Sequence, residues 1–115
     1  MAQSKRYTVL IAPTADTRYT EVILPYLARN FSFERVVEID RLIGEMVLSL
    51  ATFPDRGRSE PIVPFNGKPL RSVIFNQTRI FQLKIIYHVN EADGQVAVVD
   101  FFPTAMDPDS MLIPE

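Results

Sequence analysis

The 115-residue sequence contains no cysteine, no tryptophan and only one histidine. Without cysteine the chain can form neither disulfides nor thiolate metal sites, and nothing points to an oxidising compartment. One histidine cannot build a histidine-based metal centre by itself. A glycine-rich phosphate loop, a His-Glu-x-x-His motif and a serine nucleophile elbow are also missing from the sequence. We therefore expect neither a metal ion nor a cofactor.

The sequence also lacks a long uncharged apolar run and a charged leader followed by an apolar segment. Membrane spanning and secretion are therefore not expected, and we predict a cytoplasmic protein. The formal net charge is -2 and the pI about 5.4, so the overall field does not attract nucleic acid. Hydrophobic residues make up 47% of the chain, which is enough for one globular domain over residues 1–115.

Residues 79–102 have the pattern of a β-hairpin. Apolar residues recur at every second position in two runs, which is the period of a pleated strand. Asp93-Gly94 between the runs predicts a two-residue type I′ turn, because that turn needs positive φ at both central residues. The other face is only partly polar, so we expect central strands whose second face is partly covered. The alternating residues are Phe81, Leu83, Ile85, Tyr87 and Val89, then Val96, Val98 and Phe102.

Two polar residues of this hairpin could carry chemistry. A two-residue turn would place Asp100 opposite Tyr87, whose hydroxyl could donate to the carboxylate. The simpler interpretation of that pair is structural, because a buried charge must find a partner. His88 could act as an acid or a base, but a half-exposed histidine on a sheet surface needs no special role.

The beginning of the chain predicts a strand followed by a helix. Residues 6–12 are β-branched and aromatic, and Pro13 ends the strand because it has no N–H for a ladder. Thr14 is the predicted N-cap of the first helix. Its apolar stripe continues through Pro25, where the loss of one intrahelical hydrogen bond predicts a kink.

A second helix follows at once. Ser32 is its predicted N-cap, the apolar stripe from Val36 to Leu50 is stronger than that of the first helix, and Pro54 stops it. The short Asn30-Phe31 link predicts an antiparallel helical pair. The joint apolar surface of this pair is the expected cover for the sheet.

The segment from Pro54 to Pro69 is rich in proline and glycine and shows neither the helical nor the strand period. We predict a long connection there, of the kind that is usually functional or mobile. Residues 70–75 return to strand character, with Arg71 on the same face as Val73. The sequence therefore predicts an α+β domain of order β-α-α-β-β-β, with a helical hairpin packed on a four-stranded, mainly antiparallel sheet.

The cations of this connection, together with Arg71, form the best candidate binding site. Arg56, Arg58 and Lys68 could bind a phosphate backbone or an acidic protein segment. The alternative is a solvated loop surface, because charged residues in loops are usually hydrated. Arg79 adds to the positive charge in this half of the chain.

The order of these segments resembles the RelE/ParE toxin superfamily of bacterial toxin–antitoxin modules, also called plasmid stabilisation proteins. The likeness covers nearly the whole chain. Its most specific pieces are the helix that ends before Pro54 and Gly57-Arg58, the strand that carries Arg71, and the run Lys84-Ile-Ile-Tyr87.

This resemblance implies a cytoplasmic growth inhibitor that a small antitoxin protein holds inactive by wrapping it. RelE-like members cleave mRNA on the ribosome, whereas ParE-like members poison DNA gyrase. In the nuclease case, Arg71 and Lys84 would stabilise the phosphate transition state, and Tyr87 would assist proton transfer or stack on a base. In the binding case, the target or antitoxin contacts would be Arg56, Arg58, Lys68 and Arg79.

The sequence departs from the family pattern in two places. Lys84 stands where an arginine is commoner, and Thr104-Ala-Met106 stands where many members carry histidine or arginine. Both departures favour a ParE-like toxin over an mRNA endonuclease, and a homologue that has lost its toxicity is a third interpretation. An exposed apolar groove for the antitoxin would also favour self-association, so a homodimer is expected when the chain is isolated.

Overall fold

The computed structural model describes residues 6–65, 68–76 and 81–104 of the chain. Among these residues, no helix has the length and apolar character needed to cross a lipid bilayer. The strands are β1 (Thr8–Ile11), β2 (Arg58–Phe65), β3 (Lys68–Phe75), β4 (Leu83–Asn90) and β5 (Gln95–Pro103). The helices are α1 (Pro13–Arg18), a π-helical turn (Tyr19–Ile23), α2 (Leu24–Asn30), α3 (Phe33–Ser49) and a short 3₁₀ helix (Pro54–Arg56).

The five strands form one mixed sheet in the order β1-β5-β4-β3-β2. β1 is parallel to β5, with Thr8 opposite Gln95, and the other neighbouring strands are antiparallel. The predicted α+β class is confirmed. The predicted number of four strands and the order β-α-α-β-β-β are wrong, because the sheet has a fifth strand. The sheet is mainly antiparallel, as expected, with one parallel pair.

The additional strand is β2, which occupies much of the segment predicted as a loop. It lies at an edge of the sheet and pairs with β3. Pro61 and Pro64 lack N–H groups, which an edge strand tolerates because its outer side has no ladder to complete. The pair Asn66-Gly67, which falls within the connection predicted from the sequence, lies outside the described residues.

β4 and β5 form the predicted hairpin with a different turn. Asn90 pairs with Gln95, so the turn has four residues, Glu91–Gly94, and the predicted two-residue turn at Asp93-Gly94 is wrong. Gly94 has a φ of 64°, a conformation that glycine adopts without steric cost. The side chain and the N–H of Asp93 both bond to the side chain of Asn90, which holds the longer turn together.

A bulge in β5 changes which side chains face the helices. Ile86 pairs with Asp100 but Tyr87 pairs with Val98, which leaves Val99 without an opposite residue in β4. One extra residue inverts the alternation of the strand beyond it. Phe101 rather than Phe102 therefore joins the core under the helices.

The first helical segment is attached to this bulge. Pro13 is its first residue, which suits proline because the first N–H of a helix has no intrahelical acceptor. Thr14 lies inside α1, so its predicted role as N-cap is wrong. The Thr14 hydroxyl instead donates to the carbonyl oxygen of Val99, the bulge residue, at 3.2 Å.

Helical structure continues through Pro25 to Asn30. The Leu24 N–H donates to the Tyr19 carbonyl oxygen, a π-type bond that widens the helix just before the proline. This turn is an irregularity of the helix next to Pro25. α3 begins as predicted, with the Ser32 hydroxyl accepting from the Arg35 N–H at 3.2 Å.

The helical segments cover one face of the sheet, which we call the helix face. The predicted cover by a helical pair is confirmed, since the buried side of both segments shares one core with β3, β4 and β5. Burying each large apolar side chain contributes about 1.5–3 kcal/mol to the free energy of unfolding. The fully or nearly fully buried residues of this core include Ile23, Leu27, Ile39, Ile43, Phe75, Leu83, Ile85, Val96 and Val98.

The opposite face of the sheet, which we call the second face, is also partly buried. Leu70, Ile86 and Phe102 are at most 2% exposed. The expected partial cover of this face is therefore confirmed.

Candidate functional site

Tyr87 and Arg71 lie opposite each other on β4 and β3 and hold the turn Pro54–Gly57. The Tyr87 hydroxyl donates to the Pro54 carbonyl oxygen at 2.6 Å and accepts from the Gly57 N–H at 3.0 Å. Arg71 Nη1 donates to the Gly57 carbonyl oxygen at 2.8 Å, and its Nε lies 3.9 Å from Asp55 Oδ1. Both side chains are therefore engaged in shaping this turn.

The environment of Tyr87 keeps its phenol protonated. Its side chain is fully buried. Burial raises the pKa of Tyr87, while the Gly57 N–H and the charge of Arg71 act in the opposite direction. Near neutral pH the hydroxyl is a neutral donor, and the buried ring offers no surface on which a base could stack.

Arg56 and Arg58 lie on either side of Gly57 and line one cleft of about 220 Å³. Arg56 Nη1 donates to Ser49 Oγ at 2.6 Å. The Arg58 guanidinium is exposed and has no hydrogen-bond or ion-pair partner in the described part of the chain. We call this the arginine cleft; its lining residues are Arg56, Arg58, Ser72, Val73 and Ile74. Two guanidinium groups at one cleft can bind a phosphate or a carboxylate.

The other predicted cations do not line the arginine cleft. Arg71 lines a separate cleft of about 200 Å³ with Asp55 and Glu91, whose carboxylates oppose the binding of an anion there. Lys68 begins β3, but its side chain lies outside the described residues, and Arg79 lies wholly outside them.

Lys84 is separated from Arg71 and Tyr87 by the sheet itself. Strand alternation places residues 84 and 87 on opposite faces. Lys84 Nζ lies 3.3 Å from Glu60 Oε2 on the neighbouring part of the second face. The structure therefore brings Arg71 and Tyr87 together but does not bring Lys84 to them.

Asp100 and His88 both differ from expectation. The predicted contact of Asp100 with Tyr87 is wrong, because the longer turn and the bulge put Asp100 opposite Ile86. The Asp100 carboxylate instead pairs with Arg18, at 3.1 Å from Nε and 3.3 Å from Nη2. His88 is buried rather than half exposed, and its Nδ1 lies 3.1 Å from the Pro69 carbonyl oxygen.

A slot of about 240 Å³ lies between the first helical segment and α3. The sequence led us to expect an apolar groove but assigned no residues to it. The Tyr19 hydroxyl donates to Asp40 Oδ1 at 2.6 Å and so connects the two helical segments at the slot. Burial, then this hydrogen bond and the Asp40 charge, raise the pKa of Tyr19 far above its ordinary value. The slot is lined by Ile11, Asp16, Tyr19, Asp40, Ile43, Gly44, Val47 and Phe101.

Exposed apolar side chains continue this surface along α3. Phe33, Val37 and Leu48 are 78%, 52% and 67% exposed. With Gly44 they follow helical spacing and form one stripe, which we call the α3 stripe. The sequence signal was present, because these residues lie outside the apolar stripe that faces the core. An exposed apolar stripe is typical of protein–protein contact.

Within residues 6–65, 68–76 and 81–104, no group of three or more carboxylate or histidine side chains could hold a metal ion. The arrangement instead offers an anion-binding cleft and an apolar, acidic slot. Comparisons of the chain with protein-family models, with curated proteins and with solved structures found no match.

Proposed function

We propose that this protein is a ParE-like toxin that acts by binding a macromolecular target, with DNA gyrase as the target, and that a cognate antitoxin protein neutralises it. The observation that carries the proposal is the placement of the three candidate nuclease residues. Arg71 and Tyr87 form hydrogen bonds with the turn Pro54–Gly57. Lys84 is paired with Glu60 on the opposite face of the sheet. A phosphate transition state needs its donors at one point, so this arrangement favours binding over RNA cleavage.

The exposed surfaces support the same proposal. The arginine cleft is suited to an acidic surface of a target, because Arg58 is exposed and has no partner among the described residues to give up on binding. The α3 stripe is suited to a protein that covers it, as an antitoxin would. The α+β architecture, with helices on one face of the sheet, is compatible with the fold that the resemblance implies.

Induction of the chain in a bacterial host tests the proposal. We expect growth arrest with filamentation and DNA damage, scored by microscopy and a DNA-damage reporter. Arg58→Glu should remove the arrest by cancelling the net positive charge of the arginine cleft, whose other charged lining residue is Arg56. Arg41→Glu is the matched control, because Arg41 is an exposed arginine on α3 whose partner is Glu45. Normal growth on expression of soluble wild-type protein would instead identify a homologue without toxicity.

The second candidate function is a ribosome-dependent mRNA endonuclease. The arginine cleft favours it, because exposed guanidinium groups bind phosphate well. Rapid loss of translation with cut mRNA after induction would support this function over gyrase poisoning. In that case Arg71→Ala should abolish cleavage without unfolding the chain, and unchanged cleavage by that variant would remove Arg71 from the site.

A further inference from the structure

The sheet has two outer strands, and only one of them is protected against pairing with a further strand. β2 contains Pro61 and Pro64, and its pairing with β3 shifts register between Glu60 and Phe65. Prolines and irregularities of this kind prevent an edge strand from recruiting another strand. β1 contains no proline and no charged residue, and no described strand pairs with its outer side. β1 is therefore the edge that is open to a further strand.

The backbone of β1 directs four hydrogen-bonding groups to this outer side. Thr8 and Ala12 donate their N–H groups toward β5, at 2.9 and 2.8 Å from the accepting carbonyl oxygens. Successive residues of a strand direct their N–H and C=O groups to alternate sides, so those of Val9 and Ile11 point away from β5. Neither residue has a backbone hydrogen bond on the outer side within the described part of the chain.

Both ends of this open edge are closed. The Tyr7 N–H donates to the Ala51 carbonyl oxygen at 2.8 Å, and Pro13 has no N–H. A second β1, related by a two-fold axis, can use all four free groups in one antiparallel register only. In that register Val9 of each copy lies opposite Ile11 of the other. The free backbone groups therefore specify both the orientation and the register of a self-pairing.

Leu10 lies at the two-fold axis in this register, opposite Leu10 of the second copy. Opposite residues in such a non-hydrogen-bonded pair have Cα atoms about 4.5 Å apart, so their side chains are in contact. Leu10 and its neighbour Ile11 are 44% and 42% exposed in the single chain. The pairing would cover both side chains, and an exposed apolar edge strand is a typical site of association.

The charges at the two ends of β1 also fit an antiparallel pair. Arg6 precedes the strand and Asp16 lies in the first turn of α1 after it, and both side chains are exposed. Residue 6 of one copy lies opposite Thr14 of the other in the proposed register, two residues from Asp16. A parallel arrangement would instead bring like charges together. Charge complementarity at both ends therefore favours a second copy of this chain as the occupant.

We propose that two copies of this chain associate through β1 and join their sheets into one continuous sheet. The N–H and C=O groups of Val9 in each copy bond to those of Ile11 in the other, which makes four hydrogen bonds across the axis. The contact is small compared with a standard interface of about 1,600 Å², so we expect a reversible dimer with a Kd between about 1 µM and 1 mM. This inference goes beyond the proposed function and does not rest on it.

Sedimentation velocity of the full chain, from about 10 µM to about 1 mM, tests for this dimer. Leu10→Lys should weaken the dimer at least about tenfold, because two like charges then face each other at the axis. Leu48→Lys is the matched control, since Leu48 is an exposed leucine on α3 rather than on β1. It should leave the dimer unchanged, whereas a dimer formed through the α3 stripe would dissociate.

A single cysteine tests the register. The chain contains no cysteine, so Leu10→Cys introduces only one per copy. Oxidised glutathione, which accepts the two electrons, should convert this variant into a covalent dimer, because a Cα separation of about 4.5 Å permits a disulfide. Thr8→Cys is the control on the same face of the same strand. Its two thiols would belong to residues about 13 Å apart, which is too far for a disulfide.

Thermal melts establish that each variant is folded, and the cysteine variants keep the test decisive if Leu10→Lys is unstable. A wild-type chain that stays monomeric at about 1 mM would overturn the proposal. So would a dimer that responds to Leu48→Lys but not to Leu10→Lys, or a Leu10→Cys variant that crosslinks no faster than Thr8→Cys. Growth arrest is scored separately. A toxic chain without this dimer refutes only the present inference, and a dimer that does not arrest growth refutes only the proposed function.

Discussion

The Tyr87 hydroxyl accepts a hydrogen bond from the Gly57 N–H at 3.0 Å, so close that the Gly57 Cα can carry no side chain. A Cβ at this position would lie 2.5 Å from the Tyr87 hydroxyl oxygen and 2.6 Å from the Ser72 carbonyl oxygen. The φ of Gly57 is -82°, an ordinary value, so glycine is required by space and not by backbone conformation.

Gly57→Ala should therefore lower the free energy of unfolding by about 1–3 kcal/mol, the cost of overpacking. Chemical denaturation measures the change. Gly44→Ala is the matched control, because its Cβ enters open space and alanine favours the helix; it should raise stability by about 0.5–1 kcal/mol. If both alanine variants changed stability alike, the close contact at Gly57 would not be present in solution.

Tyr87→Phe should loosen the turn Pro54–Gly57. The substitution removes the donor to the Pro54 carbonyl and the acceptor for the Gly57 N–H, at an expected cost of about 1–3 kcal/mol. Hydrogen exchange of the Gly57 amide should become faster. The Gly94 amide, which bonds to the Glu91 carbonyl at the other end of β4, should exchange as before. Unaltered protection of Gly57 would contradict the hydrogen bond.

Removing only one partner of the ion pair between Arg18 and Asp100 should strongly destabilise the protein. The two side chains are 4% and 0% exposed. Arg18→Met leaves the buried carboxylate without its guanidinium and should cost about 3–5 kcal/mol in denaturant unfolding. Adding Asp100→Leu should recover part of that loss, because the buried carboxylate that has lost Arg18 is then gone.

Arg41→Met is the control for this pair. Arg41 and Glu45 are 59% and 60% exposed, so their separation should change stability by no more than about 0.5 kcal/mol. Equal losses from Arg18→Met and Arg41→Met would show that burial of the Arg18–Asp100 pair does not determine its contribution.

The stability of the protein should fall at alkaline pH because of Tyr19, which is partly buried, and Tyr87, which is fully buried. The pKa values of Tyr19 and Tyr87 are raised above 10.0 in the folded chain, chiefly by burial. Above pH 10.0 the unfolded chain loses these protons first, so the folded state binds more protons and stability decreases as pH rises. Below that pH their contribution is fully present.

Tyr19→Phe should make this alkaline decrease shallower, by up to about 1.4 kcal/mol per pH unit. Unfolding free energies measured from pH 8 to pH 11 would give the slopes of the variant and the wild type. Parallel curves would mean that Tyr19 titrates alike in both states, contrary to its burial and its bond to Asp40.

The helical pair and the final hairpin could be predicted because their signals are local. Ser32 caps α3 as expected, since an N-cap depends on three or four consecutive residues. The alternation in β4 likewise depends only on the period of a strand. The toxin function, which rests on the resemblance, stays a prediction.

The sequence did not reveal the edge strand β2, because proline counts against a strand unless the strand is known to lie at the edge of the sheet. Pro61 and Pro64 argue against a central strand but are compatible with an edge, and the position in a sheet is not a local property. The parallel pairing of β1 with β5 joins residues that are far apart in the chain, such as Thr8 and Gln95, and no local pattern encodes it.

The amino-acid sequence by itself determined the two helical segments, the strands β1, β3, β4 and β5, and the side of α3 that is buried, because these follow from the periods of 3.6 and 2.0 residues. Only the tertiary structure decided the partners of individual side chains. The four-residue turn and the bulge at Val99 together moved Asp100 from Tyr87 to Arg18, and the turn Pro54–Gly57 placed Gly57 against Tyr87. Such contacts depend on register and packing between distant segments, and a shift of a single residue changes every partner beyond it.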